Sequence, residues 1–388
     1  MLLLGAGPVQ LAAIHRARDA GFFTIAADFS PAAPGLKLAD RGVVCDIRDV
    51  PQVVALAREK QVDAVCSICV EAAVRTVAAV AHHLGLPGLS PEAAWNATDK
   101  QRMRAAWSAA GVPSPISRAC ESAEDACALG WPAVIKPADS AGSRGVSFVD
   151  CAAQVPAAFA AAREHSPSRR VLVEQFMPGV EMSVEGFCFG GRFHALATSD
   201  KVRTPPPALL DTTVSFPSTH PPALQQRAVQ VVAQAAAALG IDGAPIHAEV
   251  MLTPDGPMMV ELAARGPGFK VFTEMIPWVT GIDVVAETIR VAAGESPRLE
   301  KPLARGAVLR FPEVAPGRVE RIEGADEARA VPGIADLELY CQPGGMVLPL
   351  TSGDRRAAHL LALAGTRAEA EVAVRAAERK LKIVTSVP

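Results

Sequence analysis

The first ninety or so residues alternate strand and helix, which leaves this part of the chain few ways to fold. LLLGAG at 2–7 is a short apolar strand running into glycine, and VQLAAIHRARDAG is a helix closed by glycine. FFTIAAD and RGVVCDI read as the second and third strands, VPQVVALAREKQ as a helix, VDAVCSICV as a fourth strand and AAVRTVAAVAHHLG as a further helix. Strands joined through helices imply a parallel sheet, so residues 1–94 are expected to form a Rossmann-like α/β domain.

The next segment, PEAAWNATDKQRMRAAWSAAGVPSP, is helical and stops at a glycine and two prolines, as a connection into a second unit would. Residues 95–180 then hold this linker helix and a small α/β lobe built around a glycine-containing turn. Residues 181–304 form a larger lobe of long apolar strands with one good helix, ALQQRAVQVVAQAAAALG. Residues 305–388 supply a C-terminal lobe with strand-like GAVLRF and GGMVLPL and a final helix, RAEAEVAVRAAERKLK. TPPPALL and STHPPAL are loops. The class is therefore α/β and α+β, in several domains.

Composition narrows the function classes. Half of the 388 residues are hydrophobic, a fifth are charged, and the net charge is −3, so nothing attracts nucleic acid or an anionic membrane. MLLLGAGPVQ lacks a charged n-region and is too short for a signal peptide, which points to the cytoplasm. Among eight cysteines, Cys66 and Cys69 have the spacing of a redox or zinc pair. No second pair follows, and VDAVCSICV reads as a buried strand, so buried structural thiols are expected. GAGPVQ after a strand, with Asp28 ending the next, imitates a dinucleotide fingerprint, but Gln10 stands at its third glycine position.

The middle of the chain carries the chemistry. Lys100 follows Asp99 at a helix start, and Lys136 ends the strand AVIK just before ADSAGSRGV. In that loop Ser140, Gly142, Ser143 and Gly145 let backbone N–H groups fold over phosphate oxygens. VLVEQFMPG ends a strand before a Pro-Gly turn and resembles an adenine-holding hinge, with Glu174, Gln175 and Phe176 facing the purine edge and Glu181 accepting from ribose hydroxyls. IHAEVML and MMVELAARGPG are apolar strands around the turn TPDG, with one carboxylate each, Glu249 and Glu261. Buried carboxylates are costly without a cation, and magnesium bridged to ATP phosphates is the natural partner. Arg265, four residues beyond Glu261, can hold the transferring phosphoryl group or an acyl oxygen.

DK, VIKP…SAGSRGV, VEQF…GVEMSVE and HAE…VELAARGPG, in that order over roughly residues 95–270, resemble the ATP-grasp superfamily. Its layout is a Rossmann-like N-terminal domain, two α+β lobes and a C-terminal lobe. ELAARGPG, Asp200–Lys201 and the acid in SICVEAAV are similar to the bacterial L-amino-acid ligases, which make dipeptides. The resemblance implies a ligase that joins a carboxylate to an amine through an acyl phosphate, releasing ADP and phosphate. It also implies ATP and magnesium (manganese as an alternative ion), small-molecule substrates such as amino acids, and a homodimer.

By the same resemblance Lys100 and Lys136 bind phosphates, Glu249 and Glu261 bind the metal, and Arg265 and Lys136 serve catalysis. Glu71 contacts the substrate amino group, while Asp211 and Gly268 lie near the substrate. Two departures stand out. Ala263 occupies a position where many relatives carry asparagine, and Val214 stands near the place of a histidine used by some dipeptide ligases, with His220 a stand-in. The rivals are a purine-pathway enzyme activating bicarbonate or formate, a Rossmann-type oxidoreductase, which leaves Glu249, Glu261 and Arg265 unexplained, and a catalytically dead ATP sensor.

Overall fold

The computed structural model describes residues 1–206, 208–300 and 303–386, so Pro207 of TPPPALL lies outside the described residues. Its first sheet is parallel, with β1 (Leu2–Leu4), β2 (Ile25–Asp28), β3 (Arg41–Val44) and β4 (Val65–Cys66) in the order β3-β2-β1-β4. β4 is shorter than VDAVCSICV predicts. Cys69 turns the chain with φ +58°, and its thiol donates to the Pro267 carbonyl at 3.1 Å, tying the strand end to a distant loop. Burial pushes the Cys66 and Cys69 thiols up to about 12, so neither offers a thiolate near neutral pH. The glycine-rich turn after β1 is internally occupied. The Asp28 carboxylate accepts from the N–H of Ala6 at 2.8 Å and of Ser30 at 2.9 Å. Gln10 folds its side chain over Gly5 and Gly7 and donates to the Ile68 carbonyl at 3.2 Å.

The predicted linker helix is two helices, Pro91–Thr98 and Lys100–Ala109. Asp99 breaks them because its backbone is extended and its carboxylate caps the N–H groups of Gln101 and Arg102. Trp107 is fully buried and donates to the Ala235 carbonyl at 3.1 Å, anchoring the second helix to the large lobe. The small lobe is an antiparallel sheet of β5 (Ser117–Cys120), β6 (Ala133–Pro137), β7 (Ser147–Val149) and β8 (Val171–Gln175), in the order β5-β8-β6-β7. The helix Val155–His165 covers it and is not among the predicted elements; its alanine-rich run carries only a thin apolar stripe.

The main sheet has eight strands. β9 (Val180–Phe189), β10 (Arg192–Arg203), β11 (Asp211–Phe216), β12 (Ala244–Thr253) and β13 (Gly256–Ala263) come from the large lobe. β14 (Gly306–Arg310), β16 (Ile334–Leu339) and β18 (Ala358–Ala364) join them in the order β13-β12-β9-β10-β11-β14-β18-β16. Three strands of the segment 305–388 thus extend the large sheet. β15 (Gly317–Glu323), β17 (Met346–Val347) and β19 (Lys382–Ser386) make a small sheet of their own.

Alternation along the strands decides what each face does. Met182, Val184, Ala248, Val250 and Leu262 point to the helix Pro222–Ala238 and form one core with its Ala228, Val232 and Ala235. The opposite face carries Glu181, Ser183, Glu185, His247, Glu249 and Glu261. Among the described residues no helix is long and apolar enough to cross a membrane.

Candidate active site

The polar face of the main sheet and the small lobe enclose a cleft of about 780 Å³. β6 ends by delivering Lys136, and the helix starting at Lys100 enters beside it. Lys100 Nζ donates to the Ser140 carbonyl at 2.7 Å and pairs with Glu261 at 3.0 Å. Ser140, Gly142 and Ser143 line the rim, and the positive φ of Gly142 (+71°) and Ser143 (+58°) curls the loop between β6 and β7. Arg144 lies in the same rim and was not singled out from the sequence. Val134, Phe176, Met177, Leu209 and Met251 give the cleft an apolar slot.

Glu249 and Glu261 face each other across β12 and β13 as register partners. Their side chains are 27% and 30% exposed, enough to reach a ligand in the cleft. Glu249 also pairs with Lys201 at 2.6 Å. Two opposed carboxylates fit the hard-oxygen donor set of magnesium, and the cleft leaves the remaining positions to phosphate and water. Ala263, opposite His247, adds no oxygen donor.

Behind Glu249 stands a lysine-centred wall. Lys201 Nζ lies 2.8 Å from Glu181, 2.6 Å from Glu249 and 3.1 Å from Asp211, and Arg203 adds a second cation at 2.6 Å from Glu181. Burial works against the Lys201 charge, but three carboxylates outweigh it and hold the ammonium well above its usual range. Burial likewise opposes ionisation of Glu249, and Lys201 with His247 overcomes it and holds that carboxyl well below its usual value.

His247 extends the wall. Its Nδ1 is 2.8 Å from Glu185, and its Nε2 is 3.8 Å from Glu249. Burial would lower its pKa, but the Glu185 carboxylate dominates and raises it from 6.5 to about 9. The folded value lies above the unfolded one, so the stabilisation is complete below pH 6.5 and disappears as pH rises through 9. We expect wild type to lose roughly 3 kcal/mol across that window relative to His247→Gln, measured by urea unfolding at several pH values. Parallel pH profiles for the two proteins would rule this out.

Arg265 lies just beyond β13 and lines a small cavity beside the first sheet, with Val65, Ser67 and Val70. Its Nε donates to Glu71 at 2.6 Å, and its Nη1 donates to the Gly266 carbonyl at 3.0 Å. Burial opposes its charge and Glu71 restores it. Gly266 is required here, because a Cβ would lie 2.2 Å from the Phe272 ring. Glu71 and Arg265, expected at the site separately, thus form an ion pair, and the Glu71 carboxylate already has a cation.

Several expectations are corrected. Glu174 does not aim at a purine: its carboxylate lies buried between Arg104 at 2.8 Å and Lys136 at 2.7 Å. The N–H groups of Gln175 and Phe176 are taken by the carbonyls of Ile116 and Pro132, so neither is free for adenine. Glu181 is saturated by Lys201 and Arg203 inside the wall and does not face a ribose. Gly145 packs at the loop base against His165 rather than lining the cleft. His220 is no stand-in for the absent histidine. Lys201 points into the site, so its strand neighbour Asp200 points away, and His220 sits beside Asp200, with Arg367 also bound there. Asp211 and Gly268 do border a cavity, together with Val214.

Arg104, Glu185 and His247 escaped the sequence reading. A usable signal existed for the last two: EMSVE and IHAE place polar residues at every second position of otherwise apolar strands. Arg104 gave none, because its partners lie on β8 and β13. Burial pushes Lys136 down to about 8 against the pull of Glu174, so the lysine is still mostly charged at neutral pH. Removing Glu174 strands two buried cations. Glu174→Ala is expected to cost about 3–5 kcal/mol in urea unfolding, and a cost below 1 kcal/mol would contradict the pairing.

Comparison with known proteins agrees with this architecture. Residues 129–274 match the ATP-grasp domain, and residues 310–386 match the L-amino acid ligase C-terminal domain 2. An uncharacterized protein, y4rH, of Sinorhizobium fredii is 30% identical over 78% of this chain and 64% of its own length. Alanine–anticapsin ligase of Bacillus subtilis is 28% identical over 61% of this chain and 55% of its own. The aligned stretch thus spans less than two thirds of these curated relatives. The crystal structure of L-amino acid ligase from Bacillus licheniformis superposes with a TM-score of 0.86 at 23% identity, covering 99% of this chain and 98% of that one. Phosphoribosylglycinamide synthetase from Anaerococcus prevotii superposes with 0.77 at 18% identity over 99% of both. At these identities the two structures establish the fold alone.

Proposed function

Because the chain belongs to the ATP-grasp superfamily, with an L-amino acid ligase C-terminal domain behind its ATP-grasp domain, we propose that it joins a carboxylate to an amine at the expense of ATP. One observation carries the reading: Glu249 and Glu261 oppose each other on the floor of the cleft that Lys100, Lys136 and the curled loop 140–143 enclose. That combination of two carboxylates, two ammonium groups and a phosphate-sized turn serves a nucleoside triphosphate with its metal. The C-terminal domain match favours amino acids over bicarbonate or formate as substrates.

Glu249 and Glu261 would hold magnesium, which when bound offsets phosphate charge during transfer. Lys100 then leaves Glu261, and with Lys136 it meets the phosphate oxygens. An oxygen of the substrate carboxylate attacks the γ-phosphorus in line, the bond to ADP breaks, and an acyl phosphate forms. The amine attacks its carbonyl carbon, Arg265 holds the developing oxyanion, and phosphate leaves with the two electrons of the C–O bond and takes up the proton the amine gives up. Glu71 fixes the Arg265 guanidinium through its Nε hydrogen bond. Closure of the small lobe on the main sheet excludes water from the acyl phosphate.

Purified protein with Mg-ATP and pooled L-amino acids should release ADP and phosphate in equal amounts, and omitting pool members one at a time identifies the pair. Release that ignores the amino acids would contradict the proposal.

A further inference from the structure

The helix Lys100–Ala109 carries two cations one turn apart on the same face, Lys100 and Arg104. Lys100 lines the nucleotide cleft, whereas Arg104 lies behind it, 4% exposed, with its guanidinium carbon 4.9 Å from the Trp107 ring centroid. Arg104 Nε donates to Glu174 Oε1 at 2.8 Å and Nη2 to Oε2 at 3.2 Å, so its fork grips both carboxylate oxygens. Nη2 also donates to the Val260 carbonyl at 2.6 Å, on β13 directly before Glu261. One side chain thus joins the linker helix, the small-lobe strand β8 and the main-sheet strand that carries Glu261.

Lys136 Nζ approaches the same carboxylate, 2.7 Å from Glu174 Oε2. Two buried cations therefore share one buried anion. A lone Lys136–Glu174 pair would be self-sufficient, and drawing its ammonium onto a phosphate would strand Glu174 without a counter-ion, which is strongly unfavourable. With the Arg104 fork in place, Glu174 stays compensated wherever the ammonium goes. Burial opposes ionisation of Glu174, and Arg104 followed by Lys136 overcomes it, holding the carboxyl below its usual range. A guanidinium is charged at any working pH, so this partner is permanent. Its Nη1 is buried with no partner among the described residues, a cost that pairing for stability alone does not explain.

We propose that Arg104 is a positioning residue for Lys136: it fixes Glu174 as an already compensated carboxylate, so that Lys136 is aimed at the cleft yet free to pass onto the transferring phosphoryl group. The inference rests on the ATP-dependent ligase reading and deepens it, since it names the residue that releases a phosphate-binding lysine. Through Val260 the same guanidinium ties that lysine's support to the strand of Glu261, which keeps the two in register.

The test is a binding cycle by calorimetry, with magnesium and a non-hydrolysable ATP analogue, and AMP as the ligand that lacks the outer phosphates. Arg104→Gln should weaken triphosphate binding at least about tenfold, and no more than about twofold when Lys136→Met is already present. AMP affinity should change no more than about twofold in either background. The pH dependence adds a readout that a structural role would not move. Burial lowers Lys136 to about 8, with Glu174 and Glu261 pulling it up and Arg104 and Lys100 pushing it down. Triphosphate affinity should therefore begin to fall near pH 8 in wild type and at higher pH in Arg104→Gln, which lacks one repelling cation. If Arg104→Gln fails to fold, Arg104→Lys carries the same cycle with a loss of at least about threefold, because it keeps the cation and loses only the fork. Equal losses in both backgrounds, equal losses for AMP, or an unmoved alkaline fall would each overturn the proposal. A cycle that behaves as expected without release of ADP and phosphate would sink the ligase reading alone.

Discussion

Glu261→Ala protein retains its fold and loses amino-acid-dependent ADP release by at least about a thousandfold. The expected size follows from the several kcal/mol that charge compensation supplies at a transferring phosphoryl group. The loss of fold should be small, because Glu261 is 30% exposed and its partner Lys100 also donates to the Ser140 carbonyl. The variant should also need far more magnesium to bind an ATP analogue, a readout independent of turnover. Turnover within tenfold of wild type would remove Glu261 from the account. Glu249→Ala is a poorer test, since it also unbalances Lys201 and the buried wall.

Arg265→Ala should lower turnover by roughly 10²–10³, the range for loss of one oxyanion donor, while ATP affinity changes little. Glu71 lies 2.6 Å from Arg265, so the substitution also leaves a carboxylate without its cation. Glu71→Gln separates the two effects. If Glu71 only orients the guanidinium, it should reduce turnover less than Arg265→Ala and leave the magnesium requirement unchanged. Steady-state kinetics on ADP release, with calorimetric ATP binding beside it, provides the check. A loss of ATP affinity matching the loss of turnover would move Arg265 from the acyl group to the nucleotide.

How far the sequence reached depended on how local each signal was. The first sheet could be read because every strand sits beside its own helix. Glu249 and Glu261 were legible because a carboxylate in an apolar strand is an anomaly, and because a four-residue turn brings the two strands together. The hinge at Glu174 misled for the same reason: its motif is local, whereas its partner Arg104 is 70 residues away. His220 misled because strand alternation separates neighbours, sending Lys201 into the site and Asp200 out of it.

The cavity beside the lysine-centred wall was legible only at Asp211, Val214 and Gly268, and nothing pointed to Arg356, which lines it too. Arg356 reaches Asp211 across 145 residues, and that meeting follows from β14 and β18 extending the main sheet beside β11. Nothing in GAVLRF or in the sequence around Arg356 announces that register. The Glu71–Arg265 pair shows an intermediate case. Both residues were singled out, yet their contact spans 194 residues and depends on how the first sheet docks on the main one.

The central claim is that a carboxylate passes through an acyl phosphate, and oxygen tracing tests it most directly. Once the substrate pair is known, the carboxylate substrate is labelled with ¹⁸O on both oxygens and the products are examined by mass spectrometry. The account predicts that released phosphate carries one ¹⁸O per turnover and that the amide keeps the other. Label found in AMP, or phosphate free of label while amide accumulates, would contradict it.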